Sequence, residues 1–185
     1  MIRLHVAGRS WLLIFMVATG CEIQGAGGVP IEYPPPALVP ATVEPEAMVL
    51  EKTVYVPVYS SIYRFHARMY SHTDELVAVT SIRNVEPADS IFLLEARYFD
   101  SNGKVVRDYV DKVYELGPMA TAEFIVPGSD KSGGPGANFI VRWGTTSELT
   151  ADPIIETIML GQVGSAGVSL ISRGRTTKVS RRQPR

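Results

Sequence analysis

The chain has 185 residues, of which 45% are hydrophobic and 20% charged, and its formal net charge is −1. This balance is typical of a globular protein and excludes a largely disordered chain. The length allows one folded domain after removal of an N-terminal signal and excludes two domains of ordinary size.

Residues 1–20 have the pattern of a secretory signal peptide. Arg3 and Arg9 precede an apolar run from Trp11 to Ala18, and small residues follow. The run is too short to cross a membrane, which takes about 20 apolar residues, but it fits the hydrophobic region of a signal. We therefore expect residues 1–20 to be removed on export.

The segment "VATGC" resembles the bacterial lipobox, in which small residues precede an acylated cysteine at the cleavage point. Cys21 stands at that position and is the only cysteine of the chain. The resemblance implies a lipoprotein with diacylglycerol on the Cys21 thiol and a further acyl chain, such as palmitate, on the new amine. The alternative is an ordinary signal peptide followed by a chance cysteine. A single cysteine also excludes an intrachain disulfide.

Lipidation of Cys21 would make the protein a membrane-anchored component of the bacterial cell envelope. Two or three acyl chains anchor a protein that does not span the bilayer. Glu22 follows the cysteine, where inner-membrane lipoproteins of enteric type carry aspartate. We therefore expect the outer membrane, on its periplasmic or surface face, in preference to the inner membrane.

Residues 21–51 are predicted to be the lipidated cysteine and a proline-rich linker. The segment holds six of the 13 prolines of the chain. Proline favours the extended polyproline II conformation, so the segment is expected to act as a semi-stiff tether. A proline-rich ligand for a partner is the alternative.

From residue 52 to residue 173, apolar side chains recur with a period of two. We predict short strands in the segments TVYVPVYSSIY, ELVAVTSIRN, SIFLLEARYFD, VVRDYVDKVYEL, ATAEFIVP, ANFIVRWGT, PIIETIMLGQ and GVSLISRG. Pro57 suggests an edge strand, and Asn102-Gly103 predicts a hairpin with a type I′ turn. The polar stretch "RFHARMYSHTDE" is expected to lie between strands.

The alternation also predicts which side chains face the core. Phe92, Leu94, Ala96 and Tyr98 are expected on the inner face of one strand, and two later strands place the following residues inward: Ala120, Ala122, Phe124, Val126, Phe139, Val141 and Trp143. Seven or eight short strands and no amphipathic helix predict an all-β fold, an immunoglobulin-like antiparallel β-sandwich. A small barrel is the alternative.

Several long motifs resemble the domain of unknown function 3124 family of bacterial exported proteins. They include "YFDSNGKVVRDYVDKVYELGPMATAEFIV", "SGGPGANFIVRW" and "PIIETIMLG". The resemblance covers roughly residues 52–175. It implies the strand-rich fold and export of the protein as a lipoprotein. It implies no activity, cofactor or catalytic residue.

The run "SDKSGGPGANF" invites comparison with the nucleophile loop of chymotrypsin-like serine proteases. Those loops place aspartate directly before the serine, whereas Lys131 separates Asp130 from Ser132 here. A serine nucleophile also needs a histidine base, and the mature chain offers only His66 and His72. We therefore expect no catalytic residue, and the protein is predicted not to be an enzyme.

The same loop has two other interpretations. Its glycines can make a turn that leads into the strand beginning near Phe139, with the Asp130 and Ser132 side chains bonded to loop amides. Alternatively, clustered amides can bind an anion. The candidate ligand or anion loop comprises Asp130, Ser132, Gly133, Gly134, Gly136 and Asn138.

A weak metal candidate lies earlier in the chain, where His66, Met69 and His72 offer imidazole and thioether ligands suited to copper. Their spacing places them on one face only in a helix, and strands dominate this chain. We therefore expect no metal site and no cofactor.

The charge of the chain is divided unequally. Residues 21–172 carry −9, and the stretch from Arg173 to Arg185 carries +6 without an acidic residue. Residues 174–185 are predicted to form a basic disordered tail attracted to the acidic body. We expect no nucleic-acid partner because the tail lacks aromatic residues for base stacking.

These observations lead to one preferred functional hypothesis and one alternative. The preferred hypothesis is a non-catalytic, lipid-anchored binding or adaptor module that contacts another envelope protein. The alternative is an envelope lipoprotein that binds a small ligand or copper.

Overall fold

Twelve β-strands and one short 3-10 helix make up the part of the chain that the structure describes. The computed structural model describes residues 33–66, 69–147 and 151–182, with backbone alone for residues 65–66 and 69–71. The 3-10 helix is Pro45–Ala47. The strands are β1 (Leu38–Pro40), β2 (Leu50–Pro57), β3 (Ser61–His66), β4 (Met69–Arg83), β5 (Ile91–Phe99), β6 (Val105–Asp108), β7 (Tyr114–Leu116), β8 (Thr121–Val126), β9 (Asn138–Thr145), β10 (Ile154–Val163), β11 (Ala166–Arg173) and β12 (Arg175–Arg181).

The strands form two antiparallel sheets that pack as a sandwich. The seven-stranded sheet has the order β1-β7-β5-β9-β2-β12, with β6 also paired to β5. The five-stranded sheet has the order β11-β10-β4-β3, with β8 also paired to β4. The all-β sandwich prediction is confirmed, but twelve strands replace the expected seven or eight. Strands of three or four residues, such as β1 and β7, are too short to show a period in the sequence.

The core lies between the sheets and is built by the alternation that the sequence predicts. On β9, Phe139, Val141 and Trp143 are at most 1% exposed. On β8, Ala122, Phe124 and Val126 are fully buried. The inward prediction for these two strands is confirmed because side chains two apart share one face of a strand.

Strand β5 departs from the predicted alternation because of a bulge at Leu94. Leu93 pairs with Trp143 and Glu95 pairs with Arg142, so one extra residue stands between these two pairs. Leu93 is fully buried, as are the later inward residues Ala96 and Tyr98. The prediction that Phe92 and Leu94 face inward in phase with Ala96 is therefore wrong, because Ile91 and Leu93 join the core instead. A bulge shifts the facing of the strand by one residue.

The hairpin predicted at Asn102-Gly103 joins β5 to β6. Gly103 has a φ of +79°, whereas Met119 is the one described non-glycine residue with a positive φ. Asn102 therefore lacks the positive φ that a type I′ turn requires, and that turn type is wrong. The Asp100 carboxylate stabilises the turn by accepting the Lys104 amide at 2.8 Å.

Strand β2 is a central strand, so the edge strand inferred from Pro57 is wrong. It lies between β9 and β12. Pro57 is its last residue, and the pairing with β12 stops at Tyr55. The missing proline donor is tolerated there because no β12 partner reaches that position.

The stretch expected between strands forms most of a long hairpin. Strand β3 pairs with the first part of β4, from Ser61 opposite Glu75 to His66 opposite Met69. The remainder of β4 is the predicted strand ELVAVTSIRN. Polar residues such as Arg64, His72 and Asp74 conceal this extension in the sequence because they interrupt the apolar alternation.

The C-terminal part of the predicted linker belongs to the folded unit, Ile31–Arg185. Leu38 and Met48 are 5% and 1% exposed, and β1 pairs with β7. The prediction that a tether extends to residue 51 is therefore corrected. Apolar side chains between the prolines bind this segment to the sandwich, and Pro40 is tolerated at an edge.

The predicted disordered tail is corrected in the same way, because residues 175–181 form strand β12. This strand pairs with β2 from Arg175 opposite Tyr55 to Arg181 opposite Leu50. Gly174 carries the chain between the sheets, where a Cβ atom would lie 2.6 Å from Val54 and 3.0 Å from the Ile155 carbonyl oxygen.

The predicted signal peptide, Cys21 and the first part of the tether lie outside the described residues. Within the described ranges, no helix is long and apolar enough to cross a membrane.

Candidate functional site

The glycine loop between β8 and β9 is organised around Asp130. The Asp130 carboxylate accepts the Ser132 amide at 3.0 Å and also the Ser132 hydroxyl. The Arg107 guanidinium lies 3.7 Å from the other carboxylate oxygen. Asp130 thus takes the hydrogen bonds that the turn interpretation assigns to it.

Two side chains outside the loop, those of Ser101 and Ser60, fix its backbone. The Gly133 carbonyl accepts hydrogen bonds from the amide and the hydroxyl of Ser101, both at 2.9 Å. The Ser101 hydroxyl in turn accepts the Gly136 amide at 2.9 Å, and the Ser60 hydroxyl donates to the Gly134 carbonyl at 2.9 Å. Lys131 forms an ion pair of 2.7 Å with Glu75. Sequence reasoning missed Ser60 and Ser101, which come from distant segments without a motif.

Two of the loop positions require glycine for physical reasons. Gly134 has a φ of +76°, a conformation that other residues rarely adopt. A Cβ atom at Gly133 would lie 1.7 Å from the Tyr98 hydroxyl oxygen. Gly133 therefore permits the loop backbone to rest on a buried tyrosine of the core.

The Tyr98 hydroxyl beneath the loop is buried. Among the described residues, none makes a hydrogen bond of ordinary geometry with it. Burial raises the pKa of Tyr98, and the nearby Ser60 hydroxyl offsets part of that effect.

The remaining loop candidates, Gly136 and Asn138, are held by contacts within the protein. Gly136 contacts Ser101 through its amide, and Asn138 begins β9 opposite Pro57. Because the Ser132 and Gly136 amides bind protein oxygens, fewer loop donors face a ligand than the sequence suggests. Anion binding by this loop stays a prediction.

The metal candidates are only partly described. His66 and Met69 are paired backbone positions at the end of the β3-β4 hairpin, and their side chains lie outside the described set. His72 is exposed, and its Nε2 atom lies 3.8 Å from Asp74 Oδ1. Among the residues described, no three of the types His, Cys, Asp and Glu form a group that could hold a metal ion.

The two outer faces of the sandwich differ in chemistry. On the seven-stranded sheet, Arg142 bridges Glu51 and Glu95 at 3.6 and 3.7 Å. Arg97 continues this ladder, 3.3 Å from Glu95 and 3.0 Å from Asp108. Opposite charges thus alternate across β2, β9, β5 and β6. We call this surface the charged face.

The outer face of the five-stranded sheet carries a row of aliphatic side chains across four strands. The register places Ile171 opposite Ile158, Ile158 opposite Val79, and Val79 opposite Ile125. A second row places Leu160 opposite Val77. Side chains of directly opposed residues lie on the same face, with Cβ atoms about 5 Å apart. The rows therefore form one continuous surface.

This surface is open among the described residues. Ile171 is 65% exposed, Leu160 is 49% and Val77 is 38%. We call the six residues of the two rows the apolar face: Val77, Val79, Ile125, Ile158, Leu160 and Ile171. A polar row borders it, in which Arg83 lies 3.7 Å from Glu156 and Ser81 donates to Glu123 at 3.3 Å.

Sequence reasoning missed the apolar face although a signal for it was present. The segment ELVAVTSIRN is apolar on both faces, a pattern that is also typical of a central strand. One of those faces, with Val77 and Val79, lies on the outside of the sandwich.

The Tyr33 and Tyr109 rings pack together beside Ile125, at one end of the apolar face. The Tyr33 hydroxyl donates to the Ile125 carbonyl at 3.0 Å and accepts its amide at 2.8 Å. The Tyr33 ring packs edge-on against Tyr109, with centroids 5.0 Å apart. Burial raises the pKa of Tyr109 to about 12, more than the Arg107 guanidinium lowers it. The described chain therefore begins at the border of the apolar face.

The fold and its surfaces define a class, an antiparallel β-sandwich with one charged and one apolar outer face. Over residues 51–177 the chain matches the family described as protein of unknown function (DUF3124), and it belongs to that family. The resemblance found in the motifs is thereby confirmed. No curated relative matches the chain. A solved structure, "Crystal Structure of Thermotoga maritima 1070", is similar with a TM-score of 0.39 and 8% identity, over 67% of this chain and 92% of that chain.

Proposed function

We propose that this protein is a non-catalytic binding module of the bacterial cell envelope, anchored to a membrane through lipid on Cys21. Its binding surface for another envelope protein is the apolar face. The observation that carries the proposal is a continuous row of aliphatic side chains across four strands, from the exposed Ile171 through the half-buried Ile158 and Val79 to Ile125.

The apolar face has the arrangement of a protein contact surface. Scattered exposed aliphatic residues are ordinary, but contiguous ones with a polar border mark interaction sites. Ile171 and Leu160 protrude most, and the row with Glu156 and Ser81 forms the border. Among the described side chains, the charged face of the other sheet has no such row.

The loop geometry supports a non-catalytic role. The Ser132 hydroxyl donates to the Asp130 carboxylate, whereas a nucleophilic serine donates to an imidazole base. Ser101 and Ser60 bond the loop carbonyls and keep it closed on the core. The loop thus supports the β8-β9 connection.

The position of Tyr33 relates the anchor to the binding surface. Residues 22–32, between Cys21 and Tyr33, number 11 and reach at most about 40 Å when extended. Because Tyr33 bonds to Ile125, this short tether starts at one end of the apolar face. A lipid on Cys21 would hold that face close to the membrane surface, where integral and anchored proteins are available as partners.

The binding proposal is tested by crosslinking in membranes of the native host. Ile171→Glu and Leu160→Glu place a carboxylate on the apolar face, and Val105→Glu is the matched control because Val105 is 44% exposed on β6. We expect the tagged native chain and the control to form the same crosslinked adduct and both apolar-face variants to lose it. All variants should keep the native circular dichroism spectrum. An adduct that persists in both apolar-face variants would overturn the proposal.

The anchor is tested separately by Cys21→Ser. We expect the variant to leave the membrane fraction and to lack the acyl mass found on the native chain. Unchanged membrane association together with unchanged mass would contradict lipidation. Fractionation on a density gradient then tests the expected outer-membrane location.

Binding of copper or a small ligand is the alternative function for the same anchored module. Elemental analysis of the full chain, purified without chelators, distinguishes the two. Stoichiometric copper that is lost on replacing His72 by alanine would favour the alternative.

A further inference from the structure

Strand β12 is an open edge of the seven-stranded sheet. It pairs with β2 on one side, and no strand among the described residues pairs with its other side. Every residue of β12, Arg175–Arg181, is exposed. An edge of this kind presents unpaired backbone groups that an extended segment can join.

The backbone of β12 shows which groups are open. The Arg182 amide donates to the Val49 carbonyl at 2.9 Å, on the β2 side. Backbone groups of successive residues in an antiparallel strand point alternately to opposite sides. The N–H and C=O groups of Val179 and Arg181 therefore point away from β2, toward the open edge.

The charge along this edge has one sign and is not neutralised locally. Within the described part of the chain, Arg173, Arg175, Lys178 and Arg181 make no ion pair. Arg182 is 3.4 Å from Glu51. Lys178 lies opposite Thr53 and Arg175 lies opposite Tyr55, so β2 supplies no acid directly opposite either cation.

A second copy of the chain does not suit this edge. Antiparallel pairing of β12 with its own copy would join two strands that each carry Arg175, Lys178 and Arg181 and no acidic residue, so their like charges would repel. An acidic strand meets the same positions with opposite charge. The family match ends at residue 177, so Lys178, Arg181 and Arg182 extend the edge beyond it.

We propose that β12 binds an extended acidic segment of another protein, which adds to the seven-stranded sheet as a further strand. Main-chain hydrogen bonds to Val179 and Arg181 hold the segment, and its carboxylates pair with Lys178 and the neighbouring arginines. This surface is separate from the apolar face and does not depend on it.

The test uses the full chain with Cys21→Ser, so that no lipid anchors it, and a fluorescent ten-residue peptide that alternates glutamate with valine or threonine. A twin with glutamine at each glutamate position is the charge control. We expect the glutamate peptide to bind at least tenfold more tightly than its twin, with an advantage that falls as salt rises. Two further glutamate peptides test the hydrogen bonds. Each is methylated on alternate backbone nitrogens, one at the odd positions and the other at the even positions, and these are the two phases. We expect the phase that blocks the facing amides to bind at least tenfold more weakly.

Protein variants separate strand addition from charge attraction. Val179→Pro removes an outward donor without removing a bond to β2, so it should weaken binding at least tenfold while thermal unfolding stays near native. Lys178→Glu should weaken binding similarly, and Lys104→Glu, the same charge change on an exposed turn, should not. Full binding by both methylated peptides, or by Val179→Pro, overturns the proposal. A lipid headgroup surface is the other outcome. The chain would then bind no peptide but would float with phosphatidylglycerol vesicles, and Lys178→Glu would abolish flotation while Val179→Pro would not. That result would overturn the proposal.

Discussion

Replacement of Gly133 by alanine tests how closely the glycine loop rests on the core. The added Cβ atom would lie 1.7 Å from the Tyr98 hydroxyl oxygen, 2.6 Å from Tyr98 Cζ and 3.0 Å from Ala137 Cβ. Tyr98 is fully buried and packs on Phe139, with ring centroids 5.2 Å apart. The ring therefore has little room to withdraw.

The loop backbone is also held against movement, since both the Ser101 amide and its hydroxyl bond to the Gly133 carbonyl at 2.9 Å. Overpacking of a closed site costs about 1–3 kcal/mol. For a domain of this size, 1 kcal/mol corresponds to about 3 °C in Tm. We therefore expect Gly133→Ala to lower Tm by roughly 3–9 °C.

A double-mutant cycle with Tyr98→Phe assigns the cost to this contact. Tyr98→Phe removes the hydroxyl oxygen, which is the atom nearest to the new methyl group. Because this hydroxyl makes no ordinary hydrogen bond, Tyr98→Phe alone should lower the free energy of unfolding only slightly. In the double variant we expect recovery of about 1 kcal/mol or more, in the range of contacting pairs. Recovery stays partial because Cζ remains 2.6 Å from the Cβ position.

Urea unfolding followed by tryptophan fluorescence measures the cycle, and Gly117→Ala serves as the control. A Cβ atom at Gly117 meets nothing within 4 Å, so that variant should be neutral or stabilised by up to about 1 kcal/mol. Equal stability of Gly133→Ala and Gly117→Ala, or simple additivity in the cycle, would refute the reasoning.

Two further predictions concern buried polar groups. Buried Asn84 donates from its side-chain amide to the Asp89, Leu116 and Gly117 carbonyls at 2.8, 3.1 and 3.0 Å and so joins three segments. We expect Asn84→Ala to lower the free energy of urea unfolding by about 2–3 kcal/mol, and a loss below about 0.5 kcal/mol would contradict this joining role. The raised pKa of Tyr109, about 12 against 10.0, means that the folded state retains a proton that the unfolded state releases. This contribution to stability is fully present below pH 10 and is lost as pH rises to about 12. Native protein should lose up to about 3 kcal/mol more than Tyr109→Phe over that interval, and parallel pH profiles would contradict the assignment.

The apolar face shows where periodicity stops being informative. Ile158 and Val79 alternate with buried residues on their strands, and the sequence marks both faces of β4 as apolar. Whether the second face is covered depends on which other segments pack on the sheet. A local sequence pattern carries no information about those segments. The candidate binding surface therefore became visible only when register aligned residues from four strands.

The glycine loop shows the opposite case. Asp130, Ser132 and their turn hydrogen bonds lie within a few residues of one another, so the turn interpretation was available from the sequence. The reason for Gly133 was not, because Tyr98 and Ser101 reach it from the β5-β6 region, more than 30 residues away.

The sequence by itself determined the strand-rich composition, the inward faces of β8 and β9, the β5-β6 hairpin and the family. These properties depend on the alternation of side chains and on turn residues, which act over a few positions. Tertiary structure alone decided the bulge at Leu94, the central place of β2 and the conversion of the basic tail into β12. Residues 175–181 lack an apolar period, and their strand exists because β2, more than 100 residues earlier, supplies the backbone partners. Pairing between distant segments is a property of the whole fold.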